Sequence, residues 1–157
     1  MRNILTVIVD IHGLLHYNEN VVTDILESLC IFMKAYLALR IENEIRIMTT
    51  VVPRFPCSNN SESFDCSDMT RTIEVVEFFK QNMKVLQSKK SSLSCAMSSA
   101  LCFLNKRLDK YFARIMYISF TKDLSSEYIG IMNCVFAAKK LVCPVVIRRI
   151  FLWMLYH

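Results

Sequence analysis

The sequence predicts an α/β domain with a mostly parallel sheet and helices on both faces. Short runs of branched apolar residues alternate with longer segments in which apolar residues recur every three or four positions. Such alternation favours right-handed crossovers between parallel strands. The chain has 157 residues, enough for one core. Apolar residues make up 54% of it and charged residues only 21%, which excludes a disordered chain.

The first half of the chain predicts two strands, a long helix and a loop. Residues 4–10 form an apolar run typical of a strand covered on both faces. Asn20 is a candidate cap for a helix to about residue 39. Its helically spaced apolar positions are Val21, Ile25, Leu29, Phe32, Met33, Tyr36 and Leu37. Residues 45–52 form the second strand, and residues 53–68 a long surface loop with a short edge strand around Phe55.

The second half predicts three helices and two strands. Asp68 is a candidate cap for a helix that continues to about residue 83, and another helix covers residues 93–108. The remaining elements are a strand at 114–120, a helix at 125–140 and a last strand in "CPVVI". Within the helix at 125–140, we expect Phe136 and Ala137 to be the most buried residues.

Composition and motifs argue against several classes of protein. No apolar run approaches the roughly 18 residues of a membrane-spanning helix, and Asp10 ends the N-terminal run short of the roughly 7 to 15 residues of a signal peptide. With two glycines the chain has no Gly-rich phosphate loop and no G-x-S-x-G motif, so we expect no enzyme. The seven cysteines form no CxxC pair, and five lie in apolar segments, as reduced core thiols do. A cytosolic or nuclear protein is expected.

Charge is distributed unevenly along the chain. Residues 1–78 contain 6 Lys and Arg against 11 Asp and Glu, net −5, whereas residues 79–157 contain 13 against 3, net +10. The halves either present faces of opposite sign to other subunits or nucleic acid, or carry ordinary solvated helix faces. We favour the second interpretation, because no aromatic residues interleave with the lysines as base stacking requires. Direct contact with nucleic acid is therefore not indicated.

Polar side chains follow the predicted strands at their carboxyl ends, where parallel sheets bind ligands. Asp10 and Asp123 come just past two strands, and Ser91 and Ser92 precede a helix. These positions resemble the von Willebrand factor A domain. Its metal site takes Asp-x-Ser-x-Ser from the first loop, a Thr from a second and an Asp from a third.

The first loop departs from that metal-binding pattern. His12 and Leu14 occupy the two serine positions, and magnesium needs several hard oxygen ligands. We therefore expect no magnesium there, and expect Asp10 to hydrogen-bond the turn backbone. His12 and His16 have the spacing of two helical zinc ligands, but the glutamate of HExxH is missing and Gly13 disfavours the helix that such a site needs. We expect no metal at either place.

Two stretches together resemble one family more closely. The segment "SSLSCAMSSALCFLNKR" at 91–107 contains a predicted helix with the sequence Ala-Leu-Cys. The segment "RIMYISFTKDLSSEYIGIMNCVFAAKKLVCPVVI" at 114–147 contains the pattern Met-Asn-x-x-Phe-Ala-Ala-x-Lys. The pattern is matched by Met132, Asn133, Phe136, Ala137, Ala138 and Lys140. Both resemble the smaller von Willebrand A subunit of the general transcription factor TFIIH, the thirty-four-kilodalton subunit family. The likeness covers most of the chain and is weakest between residues 53 and 90.

This resemblance implies a nuclear, non-catalytic scaffold of the TFIIH core, acting in nucleotide excision repair and RNA polymerase II transcription. The implied partners are the other core subunits, chiefly the larger von Willebrand A subunit through its zinc-bearing C-terminal region. Permanent interfaces of this kind use apolar surface, of which this chain has much. For the partner surface we select Tyr128, Met132, Asn133, Lys139 and Lys140, because the most family-like residues collect there.

The C-terminal part of the sequence departs from the family. Family members continue past the fifth strand to a cysteine-rich zinc module, whereas this chain ends in "RRIFLWMLYH", so no zinc is carried over. We divide the chain into a von Willebrand A-like, C-terminally shortened domain at 1–149 and an apolar tail at 150–157. Residues 150–156 are compatible with either a strand or a helix.

Two other functions remain open at this point. One is an A domain that binds ligands through a divalent metal, which predicts stabilisation by magnesium. The other is an adaptor such as the ubiquitin-receptor subunit of the proteasome, which the chain resembles only in general fold. The helix with the Phe-Ala-Ala pattern favours the TFIIH scaffold over both.

Overall fold

A computed structural model describes residues 2–50, 63–66, 74–75, 77–79, 83, 92–107, 111–120, 125–141 and 143–149. Its helices are α1 (Ile11–Leu14), α2 (Glu19–Leu39), α3 (Leu93–Asn105) and α4 (Tyr128–Lys140), the last preceded by a 3₁₀ turn (Ser125–Glu127). Its strands are β1 (Arg2–Val9), β2 (Asn43–Thr49), β3 (Ser63–Cys66), β4 (Tyr111–Ser119) and β5 (Val145–Arg149). The predicted division into 1–149 and 150–157 concerns a tail outside these residues.

The five strands form one sheet in the order β3-β2-β1-β4-β5. Four of them are parallel, and β3 pairs antiparallel with β2 at the edge, with Phe64 opposite Ile47. The predicted mostly parallel sheet is confirmed. The loop predicted at 53–68 is wrong in one part, since β3 lies inside it. The edge strand predicted around Phe55 falls outside the described residues.

Successive residues of β1 feed two separate cores, one on each face of the sheet. Leu5, Val7 and Val9 pack on the α2 side, whereas Ile4 and Ile8 pack on the side of α3 and α4. Side chains of a strand alternate between faces, so a strand covered on both faces is apolar along most of its length. This explains why β1 is apolar from Ile4 to Val9 apart from Thr6, whose buried Oγ1 has no hydrogen-bond partner.

Helix α2 covers one face with five buried residues, Val22, Leu26, Leu29, Met33 and Leu37. Their spacing of three or four keeps them on one side of the helix. Asn18, not Asn20, occupies the cap position, and its side chain makes no capping hydrogen bond. Phe32, one of the predicted apolar positions, is 39% exposed. On the same face, residues 74–75, 77–79 and 83 are helical, as predicted, and Val75 and Phe79 are fully buried.

Helices α3 and α4 cover the opposite face. Phe103, near the end of α3, contacts two arginines. The guanidinium carbon of Arg46 on β2 lies 3.6 Å from the centroid of its ring, and the guanidinium carbon of Arg107 lies 4.3 Å from it. Cation and ring attract each other at such distances. The helix ends at Asn105 rather than at residue 108.

The expected burial of Phe136 and Ala137 on α4 is wrong. Phe136 is 58% exposed and Ala137 is exposed, whereas Cys134 and Ala138 are buried. With Ile131 and Val135 partly buried beside these two, the inward strip follows positions 131, 134, 135 and 138. Phe136 and Ala137 fall outside that strip.

No helix among the described residues is both long enough and apolar enough to cross a membrane.

Candidate functional site

Asp10 closes the turn between β1 and α1. Its side chain is 3% exposed, and its Oδ1 accepts a hydrogen bond from the Gly13 backbone N–H at 3.3 Å. The Asp10 backbone N–H donates to the Ile118 carbonyl of β4 at 3.0 Å. The carboxylate therefore caps the helical turn, as the sequence predicts.

Gly13 and Leu14, in the same turn, are both buried in the interior of the domain. Leu14, at a serine position of the metal-binding pattern, is fully buried in the core on the α2 side. A Cβ added at Gly13 would lie 2.6 Å from the Phe120 Cβ, so only glycine fits there. The chain thus folds into one helical turn despite Gly13, and that turn ends before His16. His12 and His16 are exposed, with ring centroids 5.8 Å apart.

Few of the described residues at this end of the sheet offer the oxygen ligands that magnesium needs. The Asp10 carboxylate is used in capping, and Leu14 brings no oxygen. Thr49 at the end of β2 has a buried Oγ1 without a hydrogen-bond partner, but one spare hydroxyl falls well short of an octahedral set. Ser91 and Asp123, two predicted positions, lie outside the described residues. Within the described residues, no three His, Cys, Asp or Glu side chains cluster as metal ligands.

Ser92 is part of a junction between α3 and α4. Its Oγ accepts from the Cys95 N–H at 3.3 Å, as an N-cap does, and donates to Glu127 Oε2 at 3.0 Å. The same carboxylate oxygen accepts from the Ser94 N–H at 2.8 Å. A carboxylate at the amino end of a helix satisfies free N–H groups and the positive end of the helix dipole. Glu127 thereby ties the start of α4 to the start of α3.

Small residues let the two helices approach closely along their length. A Cβ added at Gly130 would lie 2.8 Å from the Ser94 Cβ. One turn further on, Ser98 Oγ and Cys134 Sγ are 3.2 Å apart. Neither the role of Glu127 nor this crossing is predicted by the sequence, because the partners are more than thirty positions apart and no local pattern connects them.

A shallow groove of about 440 Å³ runs between α3 and α4. Its lining residues are Ser94, Cys95, Ser98, Leu101, Cys102, Gly130, Asn133, Cys134 and Ala137. Most of them are small, so the groove is open and its walls are low.

Beside the groove, the outer side of α4 combines apolar residues with two lysines. We call Tyr128, Ile129, Met132, Asn133, Phe136, Lys139 and Lys140 the α4 surface. Ile129 is 77% exposed, Tyr128 64% and Phe136 58%. Large apolar residues exposed together are typical of a surface that a partner covers. Lys139 and Lys140 lie in the last turn, where they also complement the helix dipole.

The five predicted interface residues all lie on α4. Tyr128, Asn133, Lys139 and Lys140 are exposed, and Met132 is half-buried. Ile129 was missed and Phe136 was assigned to the core. The sequence signal for both was present: they are seven positions apart and offset from the strip at 131, 134, 135 and 138, which places them on the outer side of the helix.

Comparison with known proteins identifies relatives for this chain. The family model described as "Transcription factor Tfb4" matches residues 53–151. The "General transcription and DNA repair factor IIH subunit TFB4" of Candida glabrata is 30% identical, over 82% of this chain and 49% of its own length. The "General transcription factor IIH subunit 3" of Dictyostelium discoideum is 27% identical, over 76% of this chain and 40% of its own. The chain spans about half the length of the curated relatives it matches.

A solved structure confirms the fold class. The structure described as "Crystal Structure of the TFIIH p34 N-terminal Domain" superimposes with a TM-score of 0.69, covering 95% of this chain and 81% of that one. At 18% identity this likeness concerns the fold alone. It agrees with the von Willebrand A-like architecture predicted from the sequence.

Proposed function

Because the chain belongs to the Tfb4 transcription factor family, we propose that it is a structural, non-catalytic subunit of the TFIIH core complex. In this role it acts in RNA polymerase II transcription and nucleotide excision repair, in the nucleus. The names of its relatives support this role: one is a general transcription and DNA repair factor subunit and another is a general transcription factor subunit.

The chain holds the larger von Willebrand A subunit of the complex through the α4 surface, which contacts the zinc-bearing C-terminal region of that subunit. One observation carries this assignment. Phe136, in the most family-like part of the chain, is 58% exposed on a helix whose core positions are filled by Cys134 and Ala138. A partner explains an aromatic residue in this place better than packing does.

The geometry of α4 suits such a contact. Ile129 and Phe136 stand two turns apart on the outer side, and the open groove beside them offers room for a partner side chain. Aromatic residues near the centre of an interface commonly dominate its binding energy. Glu127 and the close crossing at Gly130 hold α4 firmly on α3, so the surface is presented without reorganisation.

Assembly through this surface needs no magnesium. In the first loop the Asp10 carboxylate accepts a hydrogen bond from the turn backbone, and the buried Leu14 occupies a position where the metal-binding pattern has a serine. The metal-dependent ligand-binding function considered above has no support from these residues.

The test is co-purification of this chain with the zinc-bearing C-terminal region of the larger subunit, in magnesium and in EDTA. We expect a stable complex in both, and we expect Phe136→Ala to weaken it at least tenfold, about 1.4 kcal/mol. Alanine favours helices, so this variant keeps its fold. Phe112→Ala is the matched control, since Phe112 is another exposed aromatic residue, 40% accessible, on β4.

Three results contradict the proposal. A complex that forms only with magnesium supports the metal-dependent alternative. Equal binding by the Phe136→Ala and Phe112→Ala variants removes the α4 surface from the contact. Purification of the chain with proteasome subunits rather than TFIIH subunits assigns it to the other adaptor class.

A further inference from the structure

The outer side of α2, on the opposite face of the sheet, is also apolar. Between residues 29 and 39 the helix has a single charged residue, Lys34. Its inner side is already packed by Leu29, Met33 and Leu37. On its outer side Ile31 is 68% exposed and Leu39 is 75% exposed. A helix that is apolar all round is ordinarily buried all round.

The exposed residues lie on one strip rather than scattered around the helix. We call Ile31, Ala35, Ala38 and Leu39 the α2 strip; all four are exposed. Their spacing of three and four places them on neighbouring turns of one side. The alternation of large and small side chains forms grooves into which the side-chain ridges of another helix can pack.

Charges mark one end of the α2 strip. Asp24 and Glu27 are exposed two turns and one turn before Ile31, on the same side of the helix. Lys34 is exposed at the flank of the strip. The helix that complements this surface best has basic side chains opposite Asp24 and Glu27 and apolar side chains opposite the strip.

A second copy of this chain fits the α2 strip less well. A two-fold axis that pairs Glu27 of one copy with Lys34 of the other sets Ala38 against Thr23. It also brings Asp24 level with Leu37 of the other copy, beside the apolar Ala38. That arrangement buries a carboxylate against apolar groups, which is costly. The distribution of charge and apolar surface favours a helix of different sequence.

We infer that the α2 strip is a second docking surface, which binds an amphipathic helix of another subunit with basic residues facing Asp24 and Glu27. This inference rests on membership of a multi-subunit complex, part of the proposed function, but not on the α4 surface. The two surfaces lie on opposite faces of the sheet, so the domain bridges two neighbours.

The experiment places a photo-crosslinking amino acid at position 31, or in a separate sample at position 129, in this chain within its purified TFIIH core complex. We expect the probe at 31 to capture a helical segment that carries an apolar strip and, one or two turns away, Lys or Arg. The probe at 129 on the α4 surface is expected to capture a different segment, from the larger von Willebrand A subunit.

Charge reversal provides the second measurement. The double variant Asp24→Lys and Glu27→Lys is expected to reduce capture at position 31 at least fivefold and to leave capture at position 129 unchanged. The matched control is Glu19→Lys with Glu42→Lys, which makes the same change in net charge at two exposed positions that are not part of the strip. Equal loss in both pairs overturns the charge complementarity that we infer.

The crosslinks separate the two proposals. Capture at 129 with none at 31 overturns the second docking surface and leaves the α4 assignment standing, and capture at 31 alone does the reverse. Capture of a second copy of this chain, or of a segment without the apolar and basic pattern, overturns the occupant we infer. A chain that joins no TFIIH complex contradicts both proposals.

Discussion

The β1–α1 loop and the α4 surface differ from expectation in opposite directions. In the loop, Leu14 stands at a position where a metal-binding A domain has a ligand, and it is fully buried. On α4, Phe136 has the chemistry of a core residue and is 58% exposed. A position that serves binding in one protein is used for packing here, and an aromatic residue that suits packing stands at the surface.

The contrast teaches that residue type and environment must be read together. An apolar side chain at a former ligand position stabilises the fold, so its loss is measured as stability. An exposed apolar side chain adds little to stability, so its loss is measured as binding. The following experiments test that division, from the largest expected effect to the smallest.

Leu14→Ser restores a serine of the metal-binding pattern and gives the largest effect. Removing a buried leucine leaves a cavity, and the new hydroxyl is buried in an apolar cluster, so we expect the free energy of unfolding to fall by about 3 to 5 kcal/mol. Urea denaturation measures this. Leu15→Ser, at a neighbouring residue that is 38% exposed, is the control, with a change of about 0.5 kcal/mol. A gain of magnesium-dependent stability in the Leu14→Ser protein contradicts our account of the loop.

Gly13→Ala is expected to cost about 2 kcal/mol of unfolding free energy, because its Cβ meets both the Cβ and the backbone of Phe120 within 3 Å. Gly130→Ala tests the same substitution at the crossing of α3 and α4. There the new Cβ meets Ser94, but the gain of about 1 kcal/mol in helix propensity offsets part of the cost. Thermal denaturation of both variants ranks them, and a larger loss at Gly130 reverses the comparison.

The thiol of Cys143 gives a smaller, pH-dependent effect just beyond α4. Burial raises its pKa from 9.0 to about 11 in the folded chain. Between these pH values the thiol is deprotonated in the unfolded chain but still protonated in the folded chain. The contribution of Cys143 to the free energy of unfolding is therefore complete below pH 9 and is lost as the pH rises to 11. Cys143→Ala removes it. Denaturation at pH 8 and at pH 10.5 is expected to show a steeper loss for the unchanged chain than for the variant, and equal losses contradict this assignment.

Lys139→Glu with Lys140→Glu gives the smallest effect, a several-fold weaker association with the larger subunit while the domain remains folded. Each reversal also opposes the dipole at the end of α4, which costs about 0.3 to 1 kcal/mol of stability. The Gln double variant separates the two causes, because it removes the charges without reversing them. Binding measured by titration calorimetry should fall in the order Lys, Gln, Glu; unchanged binding excludes the lysines from the contact.

The sequence predicted most of the fold because its signals are local. The branched apolar runs located β1, β2 and β4, and helical spacing located α2, α3 and α4. The edge strand β3 was missed because it is only four residues long, "SFDC", too short for a clear apolar pattern, and it lies in a segment rich in Ser and Asn. The cap of α2 was placed two residues late because Asn18 and Asn20 are equally good by type.

The candidate site was predicted less well, because its geometry depends on distant contacts. Asp10 was correctly assigned to the turn backbone, since its partner Gly13 is three residues away. Glu127 was not found, since its partners Ser92 and Ser94 lie on another helix. Phe136 was assigned to the core from its chemistry, whereas the direction in which α4 packs is decided by α3 and by the sheet.

The strand order also determines how long β1 must wait for its partner strand β4 while the protein is being synthesised. β1 lies at the centre, and its Thr6 pairs with Ile115 of β4, 109 positions later in the chain. At about 5 to 20 residues per second, a ribosome needs roughly 5 to 20 s to supply that partner strand. During this interval an apolar strand with one free edge is exposed to other nascent chains. The domain is therefore expected to depend on chaperones while it is being made, and fragments that end before β4 are expected to aggregate.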